Sequence, residues 1–153
     1  MNLELTTTAF AEGANIPREH TGDGANSAPP LKWPDPPPGT RSFALICDDP
    51  DAPRGTWVHW VLFNLPADQR ELGEGVPAQE ALPSGAKQGK NDFGKVGYGG
   101  PSPPAGKPHR YFFRLYALDV PLDLAAGATK GQVVAAMKGH VLAEGQLMGR
   151  YGR

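Results

Sequence analysis

Two short stretches of the chain combine acidic, imidazole and phenol side chains with turn-forming residues beside apolar segments. The first carries Asp49 and Asp51 in a proline-rich turn, and His59 in the apolar segment that follows. The second carries His109 and Tyr111 at the start of another apolar segment. A carboxylate and an imidazole can share a proton, and imidazolium and phenol groups donate hydrogen bonds to anions. Together these five side chains suit a pocket for a small anion.

Each stretch also has other interpretations. Turn carboxylates such as Asp49 and Asp51 commonly accept backbone amide protons, and a strand histidine such as His59 is commonly satisfied by a backbone carbonyl. The acidic and imidazole side chains also suit a divalent metal ion, and Ser102 near His109 suits a serine hydrolase. However, the aspartate spacing matches no closed metal site, and prolines flank Ser102 outside any nucleophile elbow. We therefore expect a binding protein without catalytic activity, metal or cofactor, with metal-dependent or serine hydrolysis as the alternative.

Three apolar segments predict the strands that position these residues. Residues 42–47 form an almost continuous apolar run, which is typical of a strand buried on both faces. Residues 57–64 and 110–118 are rich in aromatic and β-branched side chains, which favour strands as well.

The two-residue period of a strand then assigns side chains to faces. Strict alternation puts His59 on the same face as Val61 and opposite Trp60. In the third segment it puts Tyr111 and Phe113 on one face together. Near the amino end, residues 3–10 alternate loosely and predict a first strand.

The carboxyl-terminal quarter changes its period. Thr129 followed three positions later by Gln132 predicts a capping box at the start of a helix. The apolar residues within 133–148 keep a helical spacing, interrupted by Gly139 and Gly145. We therefore expect two short helices or one kinked helix, and an antiparallel, mainly β or α+β domain before them.

The composition fits one domain over residues 1–153. Hydrophobic content of 39% supports one core, and 20 glycines and 17 prolines indicate many turns. The 15 basic and 16 acidic residues form no long basic run, so nucleic acid is not an expected partner.

The amino terminus lacks a secretory signal and no segment reaches transmembrane length, so we expect a cytoplasmic protein without membrane insertion. Cys47, the single cysteine, is expected to be a packed thiol.

The two stretches resemble the two signatures of the phosphatidylethanolamine-binding proteins. The first signature is resembled by residues 48–53 (DDPDAP) and 57–60 (WVHW), and the second by residues 97–104 (GYGGPSPP) and 109–111 (HRY). Segments near both ends are similar to the bacterial Raf-kinase-inhibitor-like branch of that family. The resemblance implies a single domain with an antiparallel β-sandwich-like core and short helices near the carboxyl terminus.

The resemblance also implies a surface cavity that binds phosphate, acetate, cacodylate or a phospholipid head group. Its expected lining is Asp49, Pro53, Trp57, His59, Gly100, Pro103, Pro104, His109 and Tyr111. Asp51 and Arg110 are expected to support it, and Gly100 to allow close backbone approach. We further expect Asp49 and a histidine to share a proton, so that anion affinity falls as pH rises. The resemblance further implies that the protein forms a homodimer. It also implies that the protein regulates an unknown protein target in the manner of a kinase or protease inhibitor.

Overall fold

The computed structural model describes residues 2–153, which form seven strands, one α-helix and one 3₁₀ turn. The 3₁₀ turn is Arg18–His20. In chain order the other elements are β1 (Leu31–Lys32), β2 (Ser42–Asp49), β3 (Trp57–Pro66), β4 (Glu71–Leu72), β5 (Lys87–Gln88), β6 (His109–Leu118), α1 (Lys130–Met137) and β7 (Val141–Tyr151). The predicted strands at residues 42–47, 57–64 and 110–118 are therefore confirmed as β2, β3 and β6.

Five of these strands form one sheet in the order β5-β3-β2-β6-β7, and every neighbouring pair is antiparallel. β1 and β4 form a separate two-stranded antiparallel sheet. This arrangement confirms the predicted mainly β, antiparallel fold. No helix among residues 2–153 has the length and apolar character needed to cross a membrane.

The central strand β2 is buried along its whole length, because apolar clusters cover both faces of the large sheet. On one face, the amino-terminal segment and the small sheet pack over β2, β3, β6 and β7 through Leu3, Leu5, Phe10, Ile16, Leu31, Trp33 and Leu72. On the other face, α1 and the loop before it contribute Leu122, Ala128, Val133 and Met137. The continuous apolar run of β2 follows from this double burial.

The face assignment in β6 is confirmed, whereas that of His59 in β3 is wrong. Tyr111 packs in the same cluster as the other inward residues of β6. In β3 the pairing shifts by one residue, so that consecutive β2 positions pair with Trp60 and Val58 and skip His59. Such a β-bulge interrupts strict alternation. As a result Val58 packs with Val61, and the His59 ring contacts Tyr111 on the side of the sheet that buries Trp60.

Of the two short helices expected in the carboxyl-terminal quarter, the structure forms only the first, α1. α1 begins with the predicted capping box, in which Gln132 N donates to Thr129 Oγ1 (3.2 Å) and Thr129 N donates to Gln132 Oε1 (2.9 Å). Beyond it, the predicted second helix is wrong, because β7 pairs with β6 along nearly its whole length. The buried positions of β7 include Gly145 and Gly149, which lack side chains and so hide the two-residue period. A Cβ on Gly145 would lie 1.6 Å from the Leu3 carbonyl oxygen.

The predicted first strand at residues 3–10 is also not formed. Thr6 pairs with Lys32 of β1 through two backbone hydrogen bonds (2.9 and 2.8 Å), and Leu3 N donates to Glu144 O (2.9 Å). These contacts go to different sheets, so they remain isolated bridges and no ladder develops. The loose alternation reflects burial of Leu3 and Leu5 rather than strand pairing.

Candidate functional site

A cavity of about 210 Å³ opens where the turn after β2, the start of β3 and the segment before β6 meet. Its lining is Asp49, Ala52, Pro53, Trp57, His59, Phe93, Ser102, Pro103, Pro104, His109 and Tyr111. Two distant parts of the sequence thus converge on one hollow. Eight of the nine residues named from the sequence as its lining are in this set.

Asp49 uses its two carboxylate oxygens for different purposes. Oδ1 accepts a hydrogen bond from Asp51 N (2.7 Å) and closes the turn after β2. Oδ2 lies 2.7 Å from His109 Nδ1 at the start of β6. The side chains of Asp49 and His109 are only 4% and 12% exposed. Asp49 therefore both closes the turn after β2 and contacts a histidine at the cavity wall.

Asp51 lies outside the cavity lining and fastens the turn to β6. Its carboxylate accepts hydrogen bonds from Arg110 N (2.9 Å), Nε (2.9 Å) and Nη2 (2.8 Å). The paired guanidinium lowers the pKa of Asp51 from 3.8 to about 2. Asp51 and Arg110 thus hold His109, the neighbour of Arg110, in place beside Asp49.

His59 is buried in the wall of the cavity. Its Nδ1 lies 2.6 Å from the carbonyl oxygen of Gly99, which can only accept, so Nδ1 carries the hydrogen. The ring stacks edge-on against Tyr111 and Phe93, with centroids 5.1 and 5.5 Å apart. Burial lowers the pKa of His59, while the Gly99 carbonyl and the nearby Asp49 act in the opposite direction. His59 is therefore favoured in its neutral form.

Tyr111 presents a phenol to the same cavity. The residue is 1% exposed and belongs to the cavity lining. Burial, and then the charge of Asp49, raises the pKa of Tyr111 well above its usual value. The hydroxyl keeps its proton near neutral pH and remains available as a donor to a ligand.

In the glycine-rich segment before β6, two neighbouring backbone amides are already used by the protein. Gly99 N donates to His59 O (2.9 Å), and Gly100 N donates to Asn26 Oδ1 (2.7 Å). Gly100 is absent from the cavity lining. A Cβ there would lie 2.4 Å from His20 O, so the residue allows close packing between two loops rather than close approach of a ligand.

Three residues of the lining were not among those expected from the sequence to line the cavity. Phe93 packs edge-on against Trp57 (centroids 5.5 Å apart), and both aromatic rings are more than a third exposed at the rim. An aromatic residue within a polar, glycine-rich stretch was the available signal for Phe93. Ala52 carries no such signal. Ser102 lines the cavity, but its hydroxyl donates to Gly100 O (3.5 Å) rather than to an imidazole.

His59 and His109 both use Nδ1 for their contacts with the protein, which leaves Nε2 for a ligand. In both His59 and His109 the Nδ1 hydrogen is directed at a protein oxygen, namely Gly99 O and Asp49 Oδ2. A neutral ring in this tautomer has a lone pair at Nε2, whereas a protonated ring has a donor there. The site can thus accept a ligand hydrogen through a neutral ring and donate to a ligand oxygen through a protonated one.

A metal centre in the cavity would need its ligand atoms close together. Of the described residues, Asp49, Asp51, His59 and His109 do not form a group whose ligand atoms all lie within 4.8 Å of one another. Asp51 is held by Arg110, and both Asp49 oxygens already accept hydrogen bonds. This arrangement fits a hydrogen-bonding pocket better than the metal-dependent alternative.

A family model and individual known proteins both indicate the same protein family for this chain. The family model described as phosphatidylethanolamine-binding protein matches residues 6–152. A UPF0098 protein of Methanothermobacter thermautotrophicus is 54% identical over 151 residues, which cover 99% of each chain.

Two solved structures share the fold over nearly their full length. A phosphatidylethanolamine-binding protein homologue from Chlamydia trachomatis is 39% identical, with a TM-score of 0.90 over 99% of this chain and 98% of its own. YbcL of Escherichia coli, described as a member of the mammalian family, is 32% identical, with a TM-score of 0.92 over 100% and 99% of the two chains.

Proposed function

The chain belongs to the phosphatidylethanolamine-binding protein family, and on that basis we propose that its cavity binds a small anion. The ligand class is phosphate, a phosphorylated head group or a small carboxylate. The observation that carries the proposal is the contact of 2.7 Å between His109 Nδ1 and Asp49 Oδ2 at the cavity wall. The carboxylate at Nδ1 holds the ring in place, and the Nε2 of a protonated ring donates a charge-assisted hydrogen bond to an anion.

The remaining polar groups complement a partly protonated phosphate. The Tyr111 hydroxyl supplies a second donor, because the residue lines the cavity and its raised pKa keeps the phenol protonated. The neutral His59 ring supplies an acceptor for a ligand P–OH group. Two donors and one acceptor match a monohydrogen phosphate ester better than a fully ionised anion.

The rim favours a ligand with an apolar part beside its anionic group. Trp57 and Phe93 are 38% and 41% exposed, the largest partly exposed aromatic surfaces beside the cavity. Aromatic rings next to a polar pocket suit the boundary between a head group and a hydrocarbon chain. A phosphorylated head group is therefore the preferred member of the class. A regulatory role towards a kinase or protease stays a prediction from family resemblance.

Titration calorimetry with inorganic phosphate and with sulfate tests the proposal. We expect binding to take up a proton, so that affinity for both anions falls towards alkaline pH, at most about tenfold per pH unit. Sulfate does not titrate between about pH 5.5 and 8, so a fall seen with sulfate is due to the protein. Parallel runs in buffers of different ionisation enthalpy measure the proton directly.

The His109→Gln variant tests the residue that carries the proposal. Loss of a charged donor is expected to weaken phosphate binding about ten- to a hundredfold. His140→Gln is the matched control, since His140 Nδ1 makes the same kind of contact with Asp119 Oδ1 (2.8 Å) outside the cavity. Equal affinities in wild type, His109→Gln and His140→Gln, or an affinity independent of pH, would contradict the proposal.

A further inference from the structure

Away from the anion cavity, a buried imidazole and two glutamates from separate loops converge. His20 ends the 3₁₀ turn Arg18–His20 and is only 1% exposed. Its Nε2 lies 3.8 Å from Glu19 Oε1 and 3.6 Å from Glu74 Oε1. All three ligand atoms lie within 4.8 Å of one another. None of these residues lines the anion cavity.

The His20 ring is oriented so that its coordinating nitrogen faces the glutamates. Its Nδ1 lies 2.8 Å from the carbonyl oxygen of Ser27, so the ring hydrogen resides on Nδ1. In the neutral ring this leaves the lone pair on Nε2, and the Glu19 and Glu74 oxygens that face it lie beyond hydrogen-bond distance. A backbone carbonyl on the opposite ring nitrogen is the usual outer partner of a metal-binding histidine.

Backbone hydrogen bonds hold the two loops in this arrangement. Ser27 N donates to Glu19 O (3.1 Å), which closes the first loop around His20. Gly75 N donates to Ala28 O (2.9 Å), which brings Glu74 alongside. The site is thus built by contacts that do not depend on the side chains at its centre.

The distances are longer than hydrogen bonds but suit ligands of a common ion. Direct N–H···O bonds span about 2.7–3.2 Å. Two ligands on a tetrahedral ion with bonds of about 2.0–2.2 Å lie about 3.4 Å apart. The two glutamate side chains are 62% and 52% exposed, so solvent can reach a remaining coordination position. One imidazole with two carboxylates suits zinc and similar divalent ions.

We propose that Glu19, His20 and Glu74 bind a divalent transition-metal ion of the zinc class, with water completing its coordination. The ion would tie the loop that contains Ser27 to the turn after β4. This site is independent of the proposed anion pocket. A simple ion pair between an imidazolium and the two carboxylates is the competing explanation, and it requires no metal.

Titration calorimetry of the full chain with zinc chloride, in phosphate-free buffer, tests the site. We expect one ion to bind per chain. The double variant Glu19→Gln/Glu74→Gln is expected to weaken binding at least about tenfold. Glu71→Gln is the matched control, since Glu71 is a neighbouring glutamate, 66% exposed, that faces Lys32 instead. All three side chains are more than half exposed, so these variants are expected to fold.

Imidazole ¹⁵N spectroscopy identifies the histidine involved. Zinc is expected to shift the Nε2 resonance of His20 while its Nδ1–H signal persists. Absence of saturable zinc binding, or undiminished binding by the double variant, would overturn the proposal. So would loss of zinc binding in His109→Gln with an unchanged His20 signal, because the ion would then lie in the anion cavity.

Discussion

At the scale of single residues, the Asp49 side chain takes part both in the turn after β2 and in the cavity wall. One oxygen closes the turn through Asp51 N, and the other contacts His109 from a distant part of the sequence. Because a carboxylate accepts at both oxygens, the turn and the cavity wall are built from one group. The turn that orients Asp51 towards Arg110 therefore also sets the position of His109.

His59 shows how burial converts a histidine into a pH-dependent element of stability. Its folded-state pKa is lowered from 6.5, so the unfolded chain binds a proton at higher pH than the folded chain. This contribution to stability is complete above about pH 6.5 and is lost as pH falls towards the folded-state value. The neutral ring, with its Nδ1 hydrogen directed at Gly99 O, is thus the form that the fold prefers.

The His59→Asn variant tests this dependence. Its amide nitrogen can replace Nδ1 as a donor to Gly99 O, while the titrating group is removed. Relative to the variant, the wild type is expected to lose unfolding free energy as pH falls below about 6.5, by at most about 1.4 kcal/mol per pH unit. Urea unfolding of both proteins from pH 8 to 5 measures the difference. A constant difference across this range would contradict the assigned direction of the shift.

At the scale of elements, α1 is tied to the sheet by a buried charge as well as by apolar packing. Asp48 at the end of β2 is 1% exposed and accepts from Arg114 of β6 and from Lys130 Nζ (2.7 Å) at the start of α1. Two cations around one buried carboxylate offset the cost of its desolvation. Thr129 then begins the helix with its capping box. The helix position is thus defined at its first turn.

Strand β7 depends on glycine at its buried face, and substitution there is a direct test. A Cβ at Gly145 would overlap the Leu3 carbonyl oxygen, whose neighbouring Leu3 N donates to Glu144 O. Gly145→Ala is expected to lower the free energy of unfolding by at least about 2 kcal/mol, since the amino-terminal segment must move away. Chemical denaturation gives the value.

Gly131→Ala is the matched control for that substitution. Gly131 lies in the first turn of α1, and a Cβ there would meet nothing closer than Thr129 Oγ1 at 3.8 Å. Alanine is expected to raise the free energy of unfolding by up to about 1 kcal/mol through its helix propensity. If Gly145→Ala were as stable as Gly131→Ala, close packing against Leu3 would not be the reason for glycine in β7.

At the scale of the whole molecule, stability is distributed unequally between the two sheets. β2 lies at the centre of the large sheet, and Phe43, Ala44 and Leu45 are fully buried between the two apolar clusters. β1 and β4 pair through two residues each at the periphery. The amides of β2 can exchange only when the whole sheet opens, whereas a two-residue ladder can open alone.

Hydrogen exchange of backbone amides is expected to reveal this difference. Amides of β2 should exchange with the free energy of global unfolding, and amides of β1 with a clearly lower one. Measurement by NMR as a function of denaturant distinguishes the two classes, because global opening depends on denaturant and local opening does not. Equal free energies for both strands would show that the small sheet unfolds only with the large one.

The sequence alone determined those features that depend on neighbouring residues. The continuous apolar run of β2, the alternation of β6 and the capping box at Thr129 each depend on local periodicity or a local hydrogen bond, and the structure confirms them. The two family signatures also identified most of the cavity lining, since each lies in one contiguous stretch. The structure departs at Gly100, whose amide is used by Asn26.

Only the tertiary structure decided the features that depend on residues far apart in the chain. A β-bulge in the pairing of β3 with β2 determines the face on which His59 lies. Pairing with β6 makes residues 141–151 a strand. The sequence did not predict this strand, because glycines at its buried positions interrupt the alternation of apolar side chains. The approach of Glu74 to His20 likewise follows from the backbone contact between their loops. Local patterns specify which elements can form, whereas long-range packing selects among registers and partners that those patterns leave equivalent.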